Sequence, residues 1–198
     1  MDPDMSRVTR DRLETIRFIL SEVATLAMMA VIAAILTGAM VMQYVYGELP
    51  CPLCLLQRVA MLGVCFGLMQ NLRNGFSDRN LGYCLLFSVF LLVVSVRQTL
   101  LDIYPRPGHE YVGSTVLGLH MPVWSILIAL ALITAFALKL CVVGTEDGKK
   151  APDRHSKFGR LAMVLSLYVI AIALINFGSV VVQCGLGECH TMGYALLK

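Results

Sequence analysis

The sequence predicts an all-α integral membrane helix bundle of five spans. Three observations carry that prediction. First, the chain has 198 residues, of which 58% are hydrophobic and 15% charged, with a mean hydropathy of +0.75. A soluble domain carries about 25% charged residues. Second, five apolar runs approach the ~20 residues that a helix needs to cross a bilayer. Third, lysines and arginines gather in alternate connections, as they do when basic loops stay on the cytoplasmic side. The net charge of +3 therefore reports orientation in a bilayer rather than nucleic-acid binding.

Residues 1–17 read as a polar, partly disordered cytoplasmic arm with Arg7, Arg10, Arg12 and Arg17. The bundle is expected over residues 18–183 and a short tail over 184–198. The first span is predicted at about Phe18–Tyr44, with Glu22 near enough to its inner end to reach the interface. It follows a polar arm and lacks a small-residue cleavage site, so it is expected to remain as an anchor. Tyr44 and Tyr46 suit the headgroup level at the far end. The second span is predicted at about Cys54–Gln70, the third at Leu81–Val96, the fourth at Pro122–Val143 and the fifth at Leu161–Val182. Basic loops at 71–80 and 144–160 alternate with the turn at 44–53, the lysine-free loop at 97–121 and the tail. The N-terminus is thus expected inside and the C-terminus outside.

That topology sorts the seven cysteines. Cys51, Cys54, Cys184 and Cys189 fall on the outer side, where disulfides form and persist. Cys84 and Cys141 fall near the inner side and Cys65 within the second span; all three read as small packing residues. The stretch GELPCPLCLLQR at 47–58 holds the strongest chemical signal. Pro52 is suited to the first position of a helix, which makes Cys51 the cap and puts Cys54 in the first turn. A thiol there meets the positive end of the helix dipole, and the thiolate is the species that exchanges disulfides. A C-x-x-C bridge closes too short a loop to add much chain-entropy stabilisation, so a redox role outweighs a structural one. Arg58 lies four residues on, on the same helix face and about 6 Å deeper. A charge at that depth marks function by default, though a long side chain can also snorkel to the headgroups. Cys184 and Cys189 enclose Gly185 and Gly187, which permit a tight, mobile turn; they read as a second exchanging pair or as a static bridge pinning the tail. His109, His120 and His155 are scattered and suggest no metal cage, and Trp124 reads as an interfacial anchor.

The run CPLCLLQRVAML, the Arg97-Gln98 pair and the loop end LGLHMPVW resemble the DsbB family of membrane thiol oxidases, over about residues 25–145. The resemblance implies a DsbB-like four-helix core, here with a fifth transmembrane helix added. It implies a bacterial inner-membrane protein that reoxidises a periplasmic DsbA-type protein and passes electrons to a membrane quinone, ubiquinone or menaquinone. Cys54 would face the quinone, Arg58 would lie beside its ring, and Cys51 would exchange with a second cysteine pair. Family members carry that second pair in the second outer loop, where this chain has none; Cys184 and Cys189 would take its place. Gln98 stands where a histidine is typical. Three alternatives remain: a reductase running in the opposite direction, a haem- or metal-binding protein using Cys184, Cys189 and His190, and a structural membrane subunit whose bridges are inert.

Overall fold

A computed structural model describes residues 3–104, 115–143 and 156–185. Among them, five helices are long and apolar enough to cross a membrane. They are α1 (Pro3–Tyr44), α2 (Pro52–Asn74), α3 (Asp78–Ile103), α4 (Met121–Val143) and α5 (Lys157–Cys184). Their outer faces are apolar, with Leu86, Val93, Leu138, Leu174 and Phe177 all more than half exposed. Exposed surface of that kind belongs in hydrocarbon. The expected all-α membrane bundle is borne out.

Several boundaries differ from the sequence prediction. α1 begins at Pro3, so the basic arm continues the first helix instead of standing apart. Its Arg, Glu and Leu residues are good helix formers, and Pro is favoured in a first turn. Glu22, expected at the interface, is buried, and its Oε1 accepts no hydrogen bond among the described residues. α3 runs to Ile103, about two turns past the predicted end at Val96, because its polar residue Gln98 points into the bundle and is buried there. A two-residue hairpin, Thr115–Val116 with Leu119–His120, precedes α4. Its turn residues Leu117 and Gly118 both have positive φ, 53° and 76°, the backbone that a tight hairpin of matching twist requires.

The core is built around α2. α2 packs along α3, α3 along α4, and α1 and α5 close the other side. Leu36, Met29, Val64, Leu68, Leu91 and Phe136 are buried at its centre. Gly67 lets α2 and α3 approach closely: a Cβ there would lie 2.5 Å from Cys84 Sγ and 2.9 Å from the Asn80 carbonyl. Gly63 faces the Phe87 ring in the same way one turn earlier. Cys65 and Cys84 are fully buried packing residues, as expected. Cys141 is not; it is exposed near the end of α4.

Candidate active site

Cys51 caps α2 and Pro52 opens it, as the sequence predicts. The Cys54 N–H donates to Cys51 Sγ at 3.1 Å, so one thiol serves as the helix cap of the other. Both cysteines are free thiols here and partly exposed. The Cys51 thiol is held well above the ordinary thiol range, first by its hydrogen bond with Cys54 and then by burial.

Gln98, from α3, reaches across to this pair. Its Nε2 donates to both Cys51 Sγ and Cys54 Sγ, at 3.4 Å each. The amide is held in that orientation from behind. Gln57 Nε2 donates to Gln98 Oε1 at 3.0 Å, and Ser125 Oγ of α4 donates to Gln57 Oε1 at 3.3 Å. All three side chains are buried. Each acceptor oxygen is occupied, so the Gln98 amide can turn only its N–H groups toward sulfur.

Arg58 sits one turn below Cys54 and is buried, with 8% exposure. It does not snorkel. Nη1 donates to Gln43 Oε1 at 2.6 Å and to Asn176 Oδ1 at 3.5 Å, while Nη2 donates to the Ala39 carbonyl at 3.0 Å. A guanidinium has the planar fork of donors that can serve several acceptors at once. Two helices, α1 and α5, therefore hold the charge where α2 delivers it.

Cys54, Gln57 and Arg58 line a cavity of about 540 Å³. Its other walls include Leu36, Met61, Trp124 and Ile128, with Glu48 and Pro50 at the turn before α2. Trp124 thus forms part of the site wall, in addition to any anchoring role. The volume lies within the usual range for small-molecule sites, and the lining is mostly apolar with a few convergent polar groups.

The second predicted pair is only partly in view. Cys184 is buried at the end of α5 and disulfide-bonded. Cys189, His190 and the rest of the tail lie outside the described residues. Gln183, the residue before Cys184, donates from Nε2 to the Pro50 carbonyl at 2.8 Å. Among the described residues no three His, Cys, Asp or Glu side chains gather as a metal cluster.

Sequence reasoning found both thiols and the arginine. It missed Gln43, Gln57, Ser125, Asn176 and Gln183, and it treated Gln98 as a loop residue. Their shared signal is a polar amide or hydroxyl inside an otherwise apolar span, which in a membrane requires a partner.

The fold and the site define a polytopic membrane protein built around a paired-thiol centre. Residues 21–110 match the family described as Disulfide bond formation protein DsbB. The resemblance read from the CPLC-x3-R motif is borne out over that stretch, which ends before the residue 145 that the motifs suggested. Disulfide bond formation protein B of Chromohalobacter salexigens is 36% identical over 102 residues, which is 45% of this chain and 56% of that protein. The chain therefore spans a little over half the length of this relative. No solved structure matches. The matched segment holds Cys51, Cys54, Arg58 and Gln98; α4 and α5 lie beyond it.

Proposed function

We propose that this chain is an inner-membrane thiol–disulfide oxidoreductase that reoxidises a periplasmic DsbA-type protein at the expense of a membrane quinone. The observation that carries the reading is the convergence of Cys54 and Arg58 on one apolar cavity, with Gln98 donating to both sulfurs. Family membership of the matched segment supports disulfide formation as the activity. In this reading the N-terminus is cytoplasmic and the C-terminus periplasmic, as the basic loops predict.

The cavity residues fit a quinone. Arg58 would hold a ring oxygen, and Trp124, Met61 and Ile128 would offer flat or flexible apolar surface to the ring. The quinone, when bound, supplies a two-electron acceptor. The chain's own residues do the rest. A reduced partner attacks the disulfide proposed to join Cys184 and Cys189 at Cys189 and releases the Cys184 thiolate; the partner's second thiol then displaces Cys189, so the partner leaves oxidised and the tail pair reduced. A tail thiolate then attacks the Cys51–Cys54 bond at Cys51, and the electron pair leaves on Cys54. The positive charge of Arg58, one turn deeper, and the N–H groups of Gln98 stabilise that leaving sulfur. Cys51 stays protonated more readily than an ordinary thiol, so the anion is localised on Cys54.

The deciding experiment follows quinone reduction optically in detergent, driven by a reduced DsbA-type partner. Wild type is expected to turn over and a Cys184→Ser/Cys189→Ser variant to fall to background. Equal turnover would make the tail bridge structural and Cys51–Cys54 the direct target of the partner. No turnover by wild type would reject the oxidase reading and bring forward the reductase.

A further inference from the structure

α5 lies outside the segment that matches the family, so the family pattern assigns its side chains no role. Its buried stripe changes character along its length. Val169 and Ile172 give way to Asn176, Ser179 and Gln183 toward the Cys184 end. Gln183 is fully buried, with its Nε2 on the Pro50 carbonyl and its Oε1 accepting no hydrogen bond among the described residues. Burying an amide with one end unsatisfied is unfavourable, and a leucine would fill the same space without that penalty. The residue is therefore explained by the bond it makes.

That bond joins two significant neighbours. Pro50 precedes Cys51 and Gln183 precedes Cys184. Asn176 lies seven residues earlier on the same face of α5, about 10.5 Å along the axis, where it meets Arg58. The helix thus touches the site at two depths, once at the arginine and once at the turn that carries Cys51.

We propose that Gln183 is a positioning residue for exchange between the two cysteine pairs: it ties the Pro50–Cys51 turn to the end of α5 and so holds Cys184 in register with Cys51. This rests on the relay reading given above. In the step concerned, the Cys184 thiolate attacks Cys51 Sγ, the Cys51–Cys54 bond breaks, and its electron pair leaves on Cys54. The mixed Cys51–Cys184 disulfide is then attacked by the second tail thiolate at Cys184, and Cys51 leaves as a thiolate that takes up a proton. The tail pair ends oxidised and Cys51 and Cys54 reduced, with two electrons transferred. In-line attack needs the two cysteines brought within disulfide reach, and the Gln183–Pro50 hydrogen bond restrains the two segments that carry them.

The test isolates that step from quinone. A Cys54→Ser/Cys189→Ser protein keeps Cys51 and Cys184 as the reacting thiols. It is reduced in detergent and oxidised with diamide, and closure of the Cys51–Cys184 bridge is timed by quenched alkylation and peptide mapping. Adding Gln183→Leu is expected to slow closure about tenfold, the scale of one lost hydrogen bond. Adding Ser179→Ala, a neighbouring buried polar site, is expected to leave it unchanged. Gln183→Met is run in parallel, so that a variant of native length is available if the leucine protein does not fold. Closure at the parent rate in either folded Gln183 variant overturns the proposal. Failure of the bridge to form even with Gln183 present overturns the relay reading itself.

Discussion

Two sulfurs, one guanidinium and a chain of amides make up the site, and each residue has a separate experimental signature. Gln98→Leu removes both donors to sulfur. Alkylation of the reduced pair by iodoacetamide should slow by about tenfold or more, since hydrogen bonds to a charged group contribute ~1.5–3 kcal/mol. Gln98→Glu keeps an acceptor for Gln57 but sets a second oxygen against the sulfurs, so it should slow labelling further. The raised Cys51 pKa has a direct consequence for mapping. Its thiol keeps its proton at pH values where an ordinary thiol is losing it, so brief alkylation at pH 8 should place the label on Cys54. A first label on Cys51 would reverse the roles of the two thiols. Arg58→Lys should not rescue Arg58→Ala. Lysine's single nitrogen lacks the planar fork by which Nη1 reaches Gln43 and Asn176 while Nη2 reaches the Ala39 carbonyl, so KM for quinone should stay high in both variants.

At the scale of elements, α2 is the part on which the others are set. Gly67→Val would drive a branched side chain into Cys84 Sγ and the Asn80 carbonyl. Overpacking of this kind costs about 1–3 kcal/mol, and the detergent-solubilised protein should melt at a lower temperature; an unchanged Tm would mean that α2 and α3 can separate without loss. The start of α2 was legible from the sequence because Cys51-Pro52 is a local signal and capping is local physics. The end of α3 was not. Gln98 looks like an exit from hydrocarbon when read alone, and only the facing Gln57 and the two sulfurs explain why the helix continues past it. The contribution of Asn176 was hidden for the same reason. Its partner is 118 positions away in sequence, and no periodicity announces such a pair.

At the scale of the whole molecule, the five apolar spans followed from composition, whereas their order of packing around α2 did not. Orientation is open to a direct check. A membrane-impermeant thiol reagent should label Tyr46→Cys in intact spheroplasts, and Arg79→Cys only after the membrane is opened; the reverse pattern would invert the topology. The bundle also has to keep polar chemistry at a depth where water is scarce. Gln43, Gln57, Gln98 and Asn176 carry no net charge, and their N–H and C=O groups are already turned toward the guanidinium, the sulfurs or one another. A negative charge appearing on sulfur in bulk water must wait for the liquid to rotate around it. Here the dipoles were aligned when the chain folded. The protein carries into the hydrocarbon a small volume of its own solvent, set once in a single orientation.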